Sequence, residues 1–256
     1  MTFFDSTMLG VVEGLTEFLP ISSTGHLILA STLLHLAESD FLKSFEVIIQ
    51  LGAILSVVAL YWKQFFNLEV LKKLLVAFLP TGIIGLALYK VVKTYLLGSE
   101  MVVLWALLLG GVALIVFELL YKEKESAVAH TRDISYKQAA YIGLFQALAI
   151  IPGTSRSAAT IVGGLMLGLK RATIVEFSFL LAVPTMLAAT GLDLVKNASS
   201  FSTDQVGSLA IGFVVSFIVA LLSIKFLLSY IRTHTFVPFG IYRILASLAF
   251  FFFVLY

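Results

Sequence analysis

The sequence predicts an all-α, polytopic membrane protein that forms a single membrane domain. Three observations support this prediction. Of the 256 residues, 60% are hydrophobic and only 12% are charged, and the mean hydropathy is +1.04; soluble domains are closer to half apolar and a quarter charged. Several apolar stretches are long enough to cross a hydrocarbon core, which takes about 20 helical residues. Two further apolar stretches are interrupted near their middle.

Composition also excludes several classes of protein. The net charge of +2 is too small to indicate a nucleic-acid partner. The chain contains no cysteine, so it can build neither a disulfide framework nor a thiolate metal site. Asp5 precedes the first apolar run and no basic residue does, so the N-terminus lacks the positive region of a signal peptide.

The continuous apolar stretches are the predicted transmembrane helices. They cover 45–62, 74–97, 101–120, 176–196, 206–231 and 236–255. The interrupted stretches break near Pro20 and Pro152, and each flank is short for a transmembrane helix. Irregular backbone at membrane depth must be buried in protein or line a cavity. We therefore predict two re-entrant helical hairpins, within 6–37 and 136–169.

The two interrupted stretches resemble each other, which suggests an internal repeat. In the alignment, Ser22 falls on Ser155. The repeats, about 1–125 and about 134–256, would each contain one hairpin and three spans. Because three is odd, the second repeat would be inverted relative to the first, and inverted repeats place a functional site where their broken helices meet. Chance similarity between apolar segments is the alternative.

Loop charges orient these helices. Most basic loop residues fall on the side reached after the first span, Lys63 and Arg132 among them, whereas Lys43 and Lys90 lie on the opposite side. By the positive-inside rule, the first side faces the cytoplasm. Both termini and the first hairpin would then face outward.

Two acidic residues, Glu13 and Glu17, precede the first break. Their spacing of four places both on one helix face, where they repel each other in an apolar stretch. A divalent cation, Mg²⁺ or Ca²⁺, would offset this repulsion and could bridge to a substrate phosphate. The alternative is that both carboxylates are solvated at the membrane interface.

Three hydroxyls and a histidine follow at the first break: Ser22, Ser23, Thr24 and His26. A serine can accept a phosphoryl group when a base activates it, and histidine is the usual acid or base near neutral pH. The alternative for one of the hydroxyls is a purely structural N-cap.

The second break carries a motif suited to anions. Gly153 precedes a helix start whose free backbone N–H groups attract an anion, and Arg156 can grip phosphate oxygens with a planar fork. Ser155, Ser157 and Thr160 add further donors. The alternative is an arginine that extends to the membrane surface.

The remaining polar and small residues receive structural roles. The glycine pairs Gly10/Gly14 and Gly164/Gly168 are predicted to allow close helix packing. Pairing or interface anchoring accounts for three charged residues within or near the ends of spans: Glu118, Lys225 and Arg243.

The two broken regions also resemble a known family. The strings EGLTEFLPISSTGH (13–26) and PGTSRSAAT (152–160) are similar to those of the bacitracin-resistance type of undecaprenyl-diphosphate phosphatase. FEVIIQLGAI and EFSFLLAVP extend the likeness over nearly the whole chain. The resemblance implies an inverted-repeat membrane fold that converts undecaprenyl diphosphate to the monophosphate with a divalent cation. It further implies a site on the outer side of a bacterial cytoplasmic membrane.

Combined with the analysis of the two breaks, this resemblance implies a set of site residues. The expected catalytic residues are Glu17, Ser23, His26 and Arg156, and the expected metal ligands are Glu13 and Glu17. The expected substrate-binding residues are Ser22, Thr24, Gly153, Ser155, Arg156, Ser157 and Thr160. The expected partners are a polyprenyl diphosphate and membrane lipid, with a homodimer left open.

Two questions stay open from the sequence. The nucleophile could be Ser23, His26 or water, with Ser23 the first choice. The rival function is a secondary transporter or flippase of an anionic lipid or solute, because broken helices directed at an anion also occur in transporters.

Overall fold

The computed structural model describes residues 1–96, 98–197 and 205–256. Over these ranges the regular secondary structure is helical, apart from one isolated bridge between Val128 and Leu169. The α-helices, in chain order, are α1 Phe3–Thr16, α2 Ser23–Leu33, α3 Asp40–Tyr61, α4 Leu68–Ala87, α5 Tyr89–Val91, α6 Glu100–Leu120, α7 Tyr136–Gln146, α8 Arg156–Met166, α9 Arg171–Asn197, α10 Val206–Tyr230 and α11 Val237–Phe250.

The prediction of a polytopic all-α membrane protein is confirmed. Within the described ranges, six helical segments are long and apolar enough to cross a membrane. They are Asp40–Phe66, Leu68–Ala87, Glu100–Leu120, Arg171–Ala188, Val206–Tyr230 and Val237–Leu255. Many large apolar side chains point away from the protein, Leu86 and Leu120 among the most exposed, as expected of helices that face lipid.

The predicted second span, 74–97, is shifted along the chain. Asn67 caps α4 by accepting hydrogen bonds from the backbone N–H groups of Glu69 and Val70, so the helix begins before the apolar run. It ends at Ala87 and is followed by α5 and a π-helical turn, Val92–Leu96. The last residue of the predicted span, Leu97, lies outside the described residues.

Each predicted hairpin is a pair of short helices joined by an irregular break. In the first, α1 and α2 have 14 and 11 residues, and in the second α7 and α8 have 11 each. Capping boxes begin α1 at Thr2 and α7 at Ser135. These lengths are shorter than a transmembrane helix requires.

The helices pack in a pattern that repeats between the two halves of the chain. Helix α1 packs against α10, and its counterpart α7 packs against α4. Helix α10 also packs against α3, as α4 does against α9, while α3 contacts α9 and α6 contacts α11. Exchanging the halves converts the first four of these contacts into one another in pairs and leaves the contacts α3–α9 and α6–α11 unchanged. Two structural repeats produce such a pattern; their opposite orientation stays a prediction.

Small residues allow the closest of these contacts. A Cβ atom on Gly14 would lie 2.7 Å from the carbonyl oxygen of Ser216, and one on Gly10 would lie 2.8 Å from that of Gly212. Gly164 packs directly on Ile174, so close packing is confirmed at these three glycines. The prediction is wrong for Gly168, because a Cβ atom added there would have open space around it.

Gly168 follows the end of α8 and adopts φ +82°. In this left-handed conformation glycine avoids the steric cost that a Cβ atom would add.

Of the other charged residues, Glu118 forms the predicted pair. Both its carboxylate oxygens accept from the Arg171 guanidinium, at 2.5 and 2.9 Å. Lys225 is exposed near the end of α10, which is compatible with interface anchoring. Arg243 has a different role, described below.

Candidate active site

The two helix breaks meet at one polar cavity of about 160 Å³. The first break contributes Glu17, Ser22, Ser23 and Thr24, and the second contributes Thr154, Ser155 and Arg156. Gln50 of α3, Ala149 and Met186 of α9 complete the wall. Residues far apart in the chain are therefore brought together at the two breaks, with four that the sequence analysis did not select: Gln50, Ala149, Thr154 and Met186.

The first break is held in an unusual backbone conformation. Ser22 has φ +75°, a left-handed value that costs a non-glycine residue about 1–3 kcal/mol. The His26 Nδ1 atom lies 2.7 Å from the Ser22 carbonyl oxygen, which can only accept, so Nδ1 carries the proton. The neutral ring can then accept from the Tyr242 hydroxyl at Nε2, 2.9 Å away. The hydrogen bond from His26 thus stabilises the strained backbone at Ser22.

Glu17 connects the two hairpins through its two carboxylate oxygens. The Ser23 hydroxyl donates to Oε2 at 2.5 Å, and Arg156 Nη2 donates to Oε1 at 3.1 Å. Arg156 Nη1 donates to the Ser178 carbonyl oxygen at 2.9 Å. The side chains of Glu17 and Arg156 are only 6% and 11% exposed, so their attraction is weakly screened. The carboxylate that contacts the candidate nucleophile is therefore Glu17.

His26 lies outside the lining of the cavity. Its two ring nitrogens contact Ser22 and Tyr242 rather than the Ser23 hydroxyl, and its ring stacks on Tyr242 with centroids 5.4 Å apart. The helical turn that begins at Ser23 turns His26 behind the cavity wall. Proton transfer by His26 stays a prediction, and the geometry gives Glu17 the shorter path to Ser23.

Among the described residues with buried polar side-chain atoms that lack a hydrogen-bond partner, the two charged ones are Glu13 and Arg156, and these indicate a ligand. Both carboxylate oxygens of Glu13 are buried without a hydrogen bond, and so is Nε of Arg156. Such groups cost about 1–3 kcal/mol each, more when charged, and unsatisfied ones commonly mark an unseen ion or substrate. An anion would satisfy Arg156, and a cation would satisfy Glu13.

The donor set is compatible with a hard divalent cation. Glu13 offers free carboxylate oxygens one helical turn from Glu17, whereas both oxygens of Glu17 already accept hydrogen bonds. Over the described ranges, no cluster of three or more His, Cys, Asp or Glu could enclose a metal ion. Mg²⁺ is commonly held by one or two carboxylates and completes its shell with water and substrate phosphate. The pair therefore fits such an ion, with Glu13 the freer ligand.

The hydroxyls of the second break divide between the cavity wall and its support. Ser155 lines the cavity and caps α8 by accepting from the Ala158 backbone N–H at 3.2 Å. Ser157 donates to the Leu19 carbonyl oxygen at 2.8 Å, which ties the two breaks together. Thr160 lies 2.6 Å from the Ser178 hydroxyl. Ser157 and Thr160 are fully buried and do not line the cavity, and their contact with substrate stays a prediction.

Gly153 is also behind the wall. It adopts φ +88°, and a Cβ atom there would lie 2.7 Å from the carbonyl oxygen of Val103. Only glycine fits this close approach of the break to α6. Its function is therefore to shape the turn that opens α8, while Ser155 and Arg156 present that helix start to the cavity.

Arg243 is the principal residue that sequence reasoning misjudged. It is 1% exposed, and its guanidinium donates to four backbone carbonyl oxygens: Pro20 at 3.4 Å, Gly153 at 3.2 Å, Ala106 at 2.8 Å and Leu107 at 3.3 Å. One side chain of α11 thus holds both breaks and α6, so the interpretation as a pairing or anchoring residue is wrong. The available signal was a charged residue inside an apolar span, which defaults to a functional interpretation.

Comparison with known proteins identifies the family. A family model described as "Bacitracin resistance protein BacA" matches residues 6–249. The chain belongs to this family. The BacA match includes both breaks and Arg243, so every residue of the cavity lies within it.

Relatives of this chain match it over nearly its full length. A protein of Sulfurihydrogenibium sp. is 52% identical over 98% of this chain and 99% of its own. One of Wolinella succinogenes is 52% identical over 99% of each chain, and one of Persephonella marina is 51% identical over 100% of each. Each of the three is named undecaprenyl-diphosphatase.

Proposed function

We propose that this protein hydrolyses a polyprenyl diphosphate, undecaprenyl diphosphate in the first instance, to the monophosphate and inorganic phosphate. The observation that carries the proposal is the chain of contacts from Ser23 through Glu17 to Arg156 at one cavity. These contacts join a nucleophile, Ser23, to a base, Glu17, and to the guanidinium of Arg156, which can bind an anion. The names of the near full-length relatives supply the substrate.

Ser23 and Glu17 account for the chemistry on the terminal phosphoryl group. Ser23 Oγ attacks the terminal phosphorus while Glu17 takes the hydroxyl proton, and the bond between that phosphorus and the bridging oxygen breaks. The lipid monophosphate leaves with the electron pair. Water then attacks the phosphoserine, which releases inorganic phosphate and restores the Ser23 hydroxyl. Direct attack by water, or by His26, is the alternative first step.

Arg156 and the start of α8 stabilise charge on the phosphoryl group. Phosphoryl transfer depends mainly on positioning and electrostatic stabilisation. The unpartnered Nε of Arg156 and the N-terminus of α8 supply donors, and Ser22, Thr24 and Ser155 offer further hydroxyls at the wall. A bound phosphate would also compete with Glu17 for Arg156, which would release that carboxylate to act as a base.

A divalent cation is part of this proposal. Glu13, with Glu17, would hold Mg²⁺ or Ca²⁺. When bound, the ion neutralises charge on the diphosphate and offsets the repulsion between the two carboxylates. The free oxygens of Glu13 support this assignment.

The cellular role follows from the substrate. We place the protein in a bacterial cytoplasmic membrane with its cavity open outward, where it would recycle the lipid carrier of peptidoglycan synthesis. Removal of the diphosphate form would also confer bacitracin resistance, in agreement with the description of the family. The asymmetry of the loop charges supports the orientation.

The test measures phosphate release from a long-chain prenyl diphosphate by purified protein in detergent, with and without Mg²⁺ or Ca²⁺. We expect metal-dependent release that falls about 10²–10³-fold in Arg156→Ala, the typical effect of removing one donor to developing charge. Arg232→Ala, at an exposed loop position, is the matched control and should retain activity. No release by folded wild-type protein under any ion condition would reject the hydrolase and favour a transporter or flippase.

A further inference from the structure

We propose that an apolar cleft between α6 and the second break binds the first isoprene units of the lipid substrate. This inference rests on the proposed function and identifies the part of the protein that recognises the prenyl chain. The cleft has a volume of about 420 Å³ and is lined by Met101, Trp105 and Leu109 of α6 together with Ile151 and Thr154 of the break. We call it the α6 cleft.

The α6 cleft adjoins the phosphate-sized cavity. Thr154 lines both, so the two spaces meet at a single residue of the break. A lipid diphosphate has its charged head and apolar chain joined through one ester oxygen. A head seated at Ser23 and Arg156 therefore needs an apolar exit that begins within a residue or two of the cavity, and the α6 cleft begins there.

The chemistry of the walls favours this exit over the polar space on the opposite side. That space, which also adjoins the cavity at Ser23 and Thr24, is lined by Lys43 and Glu46. An isoprene chain there would desolvate charged groups without replacing their hydrogen bonds, which is unfavourable. The α6 cleft offers apolar side chains, and its outer wall consists of lipid-exposed residues, Trp105 and Leu109. The chain can therefore pass from the cleft directly into the bilayer.

A second apolar cleft also reaches Thr154, and it provides a rival path. It is lined in part by Ala113, Leu148 and Ala158, and its volume is about 170 Å³. The α6 cleft is the larger of the two, and we assign the chain to it. Because lipid is as apolar as either cleft, the cleft contributes a route rather than strong affinity. Blocking that route should then impair long-chain substrates selectively.

The absence of cysteine in the natural chain allows a precise test. Leu109→Cys places a thiol in the α6 cleft, Ala113→Cys places one in the rival cleft, and Val112→Cys places one on the lipid-exposed face of α6 outside both. Each variant is assayed before and after reaction with N-pyrenylmaleimide. The substrates are farnesyl diphosphate and the shortest prenyl diphosphate that the unlabelled protein hydrolyses. Each unlabelled variant is its own baseline, so a folding defect cannot mimic the effect of the label.

Labelled Leu109→Cys should lose about tenfold or more in kcat/KM for farnesyl diphosphate, a change of only about 1.4 kcal/mol. Its kcat/KM for the shortest substrate should change less than about twofold, as should both values for labelled Val112→Cys. The assignment would be overturned if the label lowered kcat/KM equally in Leu109→Cys and Val112→Cys. It would also be overturned if the label impaired farnesyl diphosphate selectively in Ala113→Cys instead. If wild-type protein hydrolysed no prenyl diphosphate, the proposed function would fail first and this inference with it.

Discussion

At the scale of single residues, Glu17 has the most demanding environment of the site. It is buried, accepts from Ser23 and Arg156, and lies one turn from the unpartnered carboxylate of Glu13. Removing one partner of such a buried pair leaves an uncompensated charge, which costs more than the pair itself contributes. The two carboxylates consequently have different surroundings: Glu17 contacts the candidate nucleophile, whereas both oxygens of Glu13 lack a hydrogen-bond partner.

Replacement of the candidate nucleophile tests the covalent mechanism. We expect Ser23→Ala to lower kcat for phosphate release by about 10³-fold or more, because a covalent step is lost. Ser247→Ala, whose hydroxyl contacts only the Ile244 carbonyl of its own helix, is the control and should stay near the wild-type rate. Near-wild-type turnover by Ser23→Ala would contradict attack by serine and leave water or His26 as the nucleophile.

Arg243 gives a second prediction at this scale. Arg243→Lys keeps the charge, but its ammonium group cannot span four carbonyl oxygens on three segments. The breaks should then shift relative to each other, and misplacement of about 1 Å costs up to about 10²-fold in rate. We expect kcat to fall about 10- to 100-fold with KM little changed.

The neighbouring substitution Tyr242→Phe removes only the hydroxyl next to His26 and serves as the comparison. We expect its effect on kcat to be smaller than that of Arg243→Lys. Unchanged kcat in Arg243→Lys would show that the four carbonyl contacts do not position the breaks.

At the scale of helices, the candidate site is built from the ends of helices rather than from their central turns. The C-terminal end of α1 presents Glu17, and the N-terminal ends of α2 and α8 present Ser23 and Arg156. The N-terminal ends of α2 and α8 carry free backbone N–H groups and partial positive charge, which favour an anion between the two breaks. The continuous helices α3, α6, α9 and α11 then act as walls.

Close packing of α1 on α10 should control the stability of this arrangement. A Cβ atom at Gly14 would lie 2.7 Å from a backbone oxygen of Ser216, so α10 would have to move. We expect Gly14→Ala to lower the free energy of unfolding by about 1–3 kcal/mol, measured by thermal unfolding in detergent.

Gly191→Ala is the matched control, because no atom lies within 4 Å of the added Cβ and alanine favours a helix by up to about 1 kcal/mol. The two substitutions should therefore shift the melting temperature in opposite directions. A stable Gly14→Ala protein would mean that α1 and α10 are farther apart than described.

At the scale of the whole molecule, the two halves exchange equivalent contacts around the paired breaks. Helices α1 and α7 each pack on a helix of the other half, so neither hairpin is supported by its own repeat alone. The candidate site therefore depends on the assembly of both halves of the chain, and we expect no activity from either half by itself.

Orientation is the prediction that belongs to the whole molecule. The positive-inside rule places the C-terminus outward, on the same side as the first hairpin. A reporter that is active only outside the cytoplasm, fused after Tyr256, should give signal, whereas a fusion within the loop at Glu125 should not. The reverse pattern would overturn the orientation and the outward opening of the cavity.

Local sequence patterns were sufficient to predict many of the spans, the helix breaks and several residues of the candidate site. Apolar length identified the spans, and Pro20 and Pro152 together with the adjacent serines and glycine marked the breaks. Proline alone was not a sufficient signal, because α4 and α9 continue through Pro80 and Pro184. The motif residues Glu17, Ser23 and Arg156 were selected correctly as neighbours, since each is a polar group that an apolar segment would otherwise exclude.

Tertiary structure alone decided which member of each motif reaches the cavity. Ser155 lines the wall while Ser157 supports it, and His26 turns away from Ser23 towards Tyr242, because these choices depend on helix rotation set by distant packing. The role of Arg243 was equally hidden, since its partners are backbone carbonyls that no side-chain pattern marks. Sequence spacing specifies a face of a helix, but what that face meets is a property of the assembled fold.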